Sequence, residues 1–168
     1  RIYFEKILSQ DDFEYFLDLV SNEKVMVMNY GRVFSVEEAK KCYEGLLEKG
    51  RKGESFGGFK VFEESTNTFI GLGALLVNDN FTEVEVEYSL LPEYWGKGYG
   101  SEIAENLLKK VEETKGMQRA TAIIDPNNIA SKKIVLKNGF TSCKLYEIDD
   151  GSPAEMFSKK VIYKGKNE

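Results

Sequence analysis

The chain has 168 residues, 42% of them apolar and 30% charged, with a formal net charge of −5 and no histidine. That length and balance predict a single domain over residues 1–168, large enough for its own core. The acid excess argues against nucleic-acid binding, which needs a basic face. The missing histidine removes the commonest general base and most zinc sites, so no metal is expected. No apolar run is long enough to span a bilayer, and the N-terminus is charged, so a cytoplasmic protein without membrane partners is predicted. Arg1 stands where a start methionine would, which suggests that a few residues precede it.

Residues 2–8 predict a first strand. Ser9 with Asp12 resembles a helix start, and Phe13, Phe16, Leu17 and Val20 share one helical face. Residues 25–34, rich in Met and aromatics, read as irregular. Ser35 and Glu38 form a capping box for a helix through Ala39, Cys42, Tyr43, Leu46 and Leu47, which Lys49-Gly50 ends. Strands follow at 56–63 and 69–77. Asn78-Asp79-Asn80 turns into a third strand of the meander at 84–91. A helix after Gly100 stops at Lys115-Gly116, and Ala120 to Ile124 is a buried strand. Asn127 or Asn128 caps a helix ending at Asn138-Gly139. Phe140 to Ile148 and Met156 to Tyr163 flank a hairpin turn. Cys42 and Cys143 are isolated and read as inert, buried or half-buried thiols.

The order β-α-α-β-β-β-α-β-α-β-β predicts an α/β fold. Its central sheet is mixed, mostly antiparallel and of about seven strands, with helices on both faces. The strand–helix–strand crossover over 84–124 supplies one parallel pair.

The chemistry concentrates in Glu83 to Leu108. Val84, Val86, Tyr88 and Leu90 alternate with Glu85, Glu87, Ser89 and Leu91, the period of a strand. Pro92 ends regular pairing. Gly96, Gly98 and Gly100 then open directly onto an amphipathic helix through Ile103, Ala104, Leu107, Leu108 and Val111. A glycine turn at a helix start presents free N–H groups and the positive end of the helix dipole, a seat for phosphate. The spacing fits neither a Walker loop nor a dinucleotide fingerprint.

The stretch LLPEYWGKGYGSE resembles the acetyl-CoA-binding motif of the GNAT N-acetyltransferases, Q/R-x-x-G-x-G/A, with Gly98 and Gly100 at its glycines. Trp95 replaces the usual Gln or Arg, as in the branch of ribosomal-protein N-terminal alanine and serine acetyltransferases. DPNNIASKKIVLKNGF, from Asp125 to Phe140, is similar to the family's second motif. Together with the element order the resemblance covers essentially the whole chain.

The resemblance implies acetyl-CoA as co-substrate and a direct transfer to an amine acceptor, a peptide N-terminus or a small amine, by a monomer or homodimer. It assigns the CoA pyrophosphate to the N–H groups of Gly96, Lys97, Gly98, Tyr99, Gly100 and Ser101. Backbone at Leu90 and Leu91 is expected to pair with pantetheine. Trp95 either packs on the nucleotide or plugs the core. Asn128 either bonds pantetheine or caps its helix, and Lys137 reaches toward the 3′-phosphate or stays solvated. The family's tyrosine that serves the thiolate is Val135 here, which leaves Ser131, water or Tyr88. That gap is the one support for the alternative, a non-catalytic acyl-CoA-binding regulatory module.

A reacting amine must first lose its proton. At pH 7 that costs about 4.6 kcal/mol for a lysine-like amine and about 1 for a chain terminus. Glu85 and Glu87, on one strand face, are the candidate bases, with Glu85 at the family's frequent glutamate position. The bland reading is a solvated acidic strand. The acceptor is expected among residues 26–34, the second helix and the 149–155 hairpin, with Tyr30, Phe34 and Tyr43 either lining it or in the core.

Overall fold

The computed structural model describes residues 1–165. The predicted domain therefore ends in three residues, 166–168, that lie outside the described part.

Seven strands form one sheet: β1 (Ile2–Lys6), β2 (Gly57–Glu63), β3 (Thr68–Val77), β4 (Glu83–Leu90), β5 (Arg119–Ile124), β6 (Thr141–Glu147) and β7 (Pro153–Lys160). Their order is β1-β2-β3-β4-β5-β7-β6. Every pair is antiparallel except β4 with β5. The last hairpin is thus inserted with β7 inside and β6 at the edge. Both strands run a few residues earlier or shorter than the sequence suggests.

Helices cover both faces. On one face α4 (Tyr99–Glu112) and α5 (Ile129–Lys137) pack on the sheet. Ile103 and Leu107 of α4 are fully buried there with Val84 and Val86 of β4, Leu75 and Val77 of β3, and Phe157 of β7. The other face carries α1 (Phe13–Val20), α2 (Glu23–Asn29) and α3 (Val36–Gly50), packed around Tyr43, Leu19, Val25 and Leu72. The predicted alternation of β4 is therefore physical: its apolar residues meet α4, and its carboxylates face the compartment under α1–α3.

One helix departs from the sequence reading. Residues 25–34 are not irregular throughout, because α2 occupies the first half of the stretch, to Asn29. The Asn22 side chain accepts from the Val25 N–H at 3.2 Å, and Asn29 donates to the Val25 carbonyl at 2.9 Å. Val25 and Met26 bury the inner face of the helix. β-Branched and Met residues masked a short helix whose stability comes from packing, not propensity. The capping box of α3 forms as predicted, with both Ser35 and Glu38 engaged.

One open alternative is decided and one expectation is corrected. Tyr43 belongs to the core: it is fully buried, and its hydroxyl donates to the Ser9 carbonyl at 2.6 Å. Neither cysteine is buried. Cys42 borders the compartment under the helices, and Cys143 lies on the exposed edge strand β6.

Leu107 closes the contact of α4 on β3, where even a Cβ on Gly73 would lie 3.1 Å from it. Leu107→Ala should cost about 2–5 kcal/mol of stability, read as a lowered denaturation midpoint in urea.

Candidate active site

β4 and β5 pair over only three residues: Glu83 with Arg119, Val84 with Ala120, and Glu85 with Thr121. Beyond that the strands splay. Which backbone groups this frees follows from the register with β3. Leu91 donates to the Ile70 carbonyl at 2.8 Å, and Asn78 donates to the Glu83 carbonyl at 2.9 Å. The pairs Ile70/Leu91 and Asn78/Glu83 are therefore hydrogen-bonded ones, and so by alternation are those of Glu85, Glu87 and Ser89. The N–H and C=O groups of Val86 and Tyr88 and the N–H of Leu90 point the other way, toward the gap left by β5, while the Leu90 carbonyl is taken by the Trp95 indole.

The splay opens a cleft of about 690 Å³ that continues beneath α1–α3. Its walls include Glu85, Glu87, Tyr88 and Ser89 of β4, Ile123 to Asp125 at the end of β5, and Asn128 and Ser131 of the α5 start. Tyr30, Phe34, Cys42 and Tyr146 also line it. A shallower hollow of about 450 Å³ at the other end of β5, beside Arg119 and Lys159, contains none of these groups.

The two carboxylates lie at the heart of the cleft. Water reaches Glu87 through the opening, but protein walls surround it. Its carboxyl is held well above its ordinary value, first by loss of solvation, then by a hydrogen bond to Glu85 and the Glu85 charge. In the protonated state Glu87 donates to Glu85. Tyr30 is pushed up to about 12 by burial and then by the Glu87 charge, with Cys42 and Glu85 adding to it. The Cys42 thiol is raised by burial and then by Glu38 and Glu87, and Tyr146 is raised by burial and then by Glu85. These mutual influences converge on one acidic centre, which the cleft walls border while water still reaches Glu87.

The glycine turn lies at the end of β4. A short 3-10 turn at Pro92–Tyr94 leads into it, and Gly98 precedes α4 with φ +84°, a left-handed backbone that suits glycine. No side chain caps α4. The first intrahelical bond runs from Glu102 to the Gly98 carbonyl, at 3.2 Å. The N–H groups of Tyr99, Gly100 and Ser101 therefore lack helical partners. Gly96 and Lys97 are exposed beside them. Gly100 has a second role: a Cβ there would lie 3.0 Å from Ile134 of α5, so it sets how closely the two helices approach.

Several side chains are placed differently from expectation. Trp95 neither plugs the core nor lies free; its indole N–H donates to the Leu90 carbonyl at 2.9 Å and its ring is 36% exposed. Leu91 is corrected as a ligand-pairing group, because its N–H is committed to Ile70. Asn128 caps α5, accepting from the Ser131 N–H at 3.2 Å, and it also donates to Asn29 of α2 at 3.4 Å. It is buried and ties the two sides of the cleft together. The Ser131 hydroxyl has no hydrogen-bond partner among the described residues, while its carbonyl accepts from Tyr88 at 3.2 Å. Val135 is buried and aliphatic, with no proton to donate. Lys137 is exposed in the last turn of α5, one turn beyond Ile134.

The sequence reading names none of three neighbours of the site, although Asn29 falls within the 26–34 stretch expected at the acceptor site. Arg1 has its guanidinium 4.2 Å over the Tyr99 ring, is paired with Glu102 at 2.9 Å, and would lie 3.3 Å from a Cβ on Gly98. Tyr99 in turn donates to Glu63. Asn29 and Tyr146 reach the cleft from α2 and from β6. No local pattern marks any of the three, since each arrives through the sheet order or helix packing.

Together these features define a class: a mixed sheet opened between two parallel strands, with an uncapped helix start beside the opening and acid groups within it. The comparisons agree. The Acetyltransferase (GNAT) domain family matches residues 1–141. YoaA of Bacillus subtilis, named an uncharacterized N-acetyltransferase, is 23% identical over 159 residues, covering 91% of this chain and 88% of that protein. An acetyltransferase structure from Agrobacterium tumefaciens superposes with a TM-score of 0.76 at 19% identity, over 95% of this chain and 90% of the other. A Salmonella typhimurium acetyl transferase described as modifying the N-terminal serine of a 50S ribosomal subunit protein gives 0.76 at 16% identity, over 95% of each chain. The chain belongs to the GNAT acetyltransferase family and is an N-acetyltransferase. Its family uses acetyl-CoA. No helix among the described residues is long and apolar enough to cross a membrane.

The raised Glu87 carboxyl links stability to pH. The unfolded chain releases this proton near the ordinary value of 4.5, and the folded chain only at higher pH. Between those points the native state holds the extra proton, so the group's contribution to stability falls as pH rises. Glu87→Gln removes that loss. Its melting temperature should exceed the parent's by a margin that grows as the pH rises above the ordinary carboxyl value of 4.5, in thermal unfolding monitored by circular dichroism.

Proposed function

We propose that this chain transfers the acetyl group of acetyl-CoA directly to a primary amine held against Glu85 and Glu87. The observation that carries the reading is the position of this acid pair inside the cleft opened between β4 and β5. A pantetheine chain laid along β4 adds, in effect, the strand that β5 does not supply, using the N–H and C=O groups of Val86 and Tyr88 and the N–H of Leu90. The N–H groups of Tyr99, Gly100 and Ser101, with Gly96, Lys97 and Gly98, hold the pyrophosphate. Trp95 locks the end of β4 through Leu90 and borders the same path. Lys137 serves the 3′-phosphate as a mobile charge.

Glu85 holds the incoming cation close and acts as the base, directly or through one water, while Glu87 keeps the shared proton. One carboxylate is thus available for deprotonation while the other remains neutral, the division of labour expected when two acids share a site. The backbone at the β4 end faces the thioester carbonyl and stabilises the developing oxyanion. The unpartnered Ser131 hydroxyl donates a hydrogen bond to the leaving thiolate, in the place where Val135 has none, and the thiolate takes its proton from water in the cleft. Asn128 positions the start of α5 for that role. The acceptor is a peptide N-terminus or a small amine.

Thermal unfolding with acetyl-CoA, CoA and NADH separates the ligands. At about 100 times the dissociation constant a bound nucleotide adds roughly 2.7 kcal/mol. Both CoA species should raise the melting temperature and NADH should leave it unchanged; no shift with acetyl-CoA would overturn the reading. Glu85→Gln should lower kcat by about 10²–10⁴-fold in a thiol-release assay while the acetyl-CoA shift persists. Unchanged turnover in that variant would remove Glu85 as base, and CoA binding without thiol release over a broad amine panel would identify a regulatory module.

A further inference from the structure

The compartment beyond the acid pair is mostly apolar. Its walls are Leu19, Val25 and Met26 from α1 and α2, Leu46 from α3, and Leu72 and Leu76 from β3. The first three are at most 2% exposed and belong to the packed core, so the half-buried Phe16, Phe34, Leu46 and Leu76 are the apolar groups that face the open space. The aromatic side chains of Tyr30, Phe34 and Tyr146 border the acid pair. Charge is sparse. Among the described lining residues the acids are Glu85, Glu87 and Asp125, and the one cation is Lys49. Lys49 donates to the Val77 carbonyl at 2.9 Å, which holds it to the sheet.

We infer that the acceptor is a monobasic primary amine carried on an apolar, aliphatic or aromatic body; this rests on the acetyl-transfer reading above. The acid pair supplies one centre of negative charge for one ammonium. Two carboxylates this close repel each other unless they share a proton, so the pair matches a single cation better than two. A second ammonium directed at the α3–β3 wall of Leu46, Leu72 and Leu76, which carries no acid, would have no counter-charge there, since Asp125 lies at the β5 end, and desolvation opposes that. Lys49 adds like-charge repulsion at the α3 side. Sugar hydroxyls would meet the same wall without hydrogen-bond partners. An apolar body gains by each group it removes from water, and the aromatic rim accommodates the ammonium face as it approaches Glu85 and Glu87.

A chain-length series tests this whatever the natural acceptor is. With n-alkylamines, kcat/KM should rise about fourfold for each added methylene until the compartment is full. Hexylamine should exceed 1,6-diaminohexane, which differs only by its second charge, by about a hundredfold. Phenethylamine should resemble hexylamine. Peptides beginning with phenylalanine or with serine provide the second source of the same chemistry: preference for the phenylalanine peptide over both the serine peptide and the alkylamines would assign the apolar amine to a chain terminus. Equal or better use of the diamine would overturn the inference while leaving acetyl transfer intact. Absence of thiol release with every amine would overturn the reaction instead. In that case the melting shift of the CoA-bound protein with hexylamine against diaminohexane still decides the inference, and equal shifts would sink it. Cys42→Asp adds a carboxylate to the exposed α3 wall and should raise diamine use about tenfold relative to hexylamine; an unchanged ratio would count against a charge-limited compartment.

Discussion

β4 and β5 stay hydrogen-bonded for three residue pairs and then part, and the rest of the molecule is arranged around that separation. Unpaired strand groups inside a protein are costly unless something satisfies them. Here they border a cleft, so a ligand with its own amide groups can complete the ladder. The antiparallel pairing of β4 with β3 holds one edge of the opening fixed. The pairing of β5 with β7 holds the other. Insertion of β7 between β5 and β6 thus braces the far wall of the cleft on a strand from the opposite end of the chain.

The same strand brings its two acids into the opening. On β4 the even-numbered residues from Val84 to Val86 lie against α4 and drive burial, which forces Glu85 and Glu87 to the opposite face. That face would be solvent in an isolated sheet. Covering it with α1, α2 and α3 converts an exposed acidic strand into a walled compartment, and the proton affinity of Glu87 rises as a consequence. The Asn29–Asn128 hydrogen bond is the tie between that cover and the α5 side. Packing of the helices and chemistry of the acids are therefore one design problem.

Much of this was legible in the chain. The alternation of β4, the glycine turn and the apolar stripe of α4 are local patterns, and each formed as the periods of strand and helix require. The capping box at Ser35 and Glu38 was equally local. What failed were readings without a strong local signal. The helix at Glu23–Asn29 has a modest cap and only seven residues, too few to be stable alone, and it is held by burial of Val25 and Met26. Leu90 and Leu91 looked equivalent, but the hydrogen-bond parity of the β3–β4 pair separates them. Tyr30 and Tyr43 also looked alike, yet one borders the acid pair and the other is sealed in the core.

By itself the sequence determined the period of each main element, the glycine turn at a helix start, the two carboxylates on one strand face and the family to which these belong. Those features depend on residues within a few positions of one another, where backbone geometry leaves few choices. The tertiary structure alone decided where β4 and β5 part, which backbone groups are thereby free, and which walls surround the acids. Arg1 beside Gly98, Asn29 against Asn128 and Tyr146 near Glu85 are all contacts between distant segments. Such contacts are set by strand order and by the packing of side chains into a single dense interior, and no local pattern encodes them.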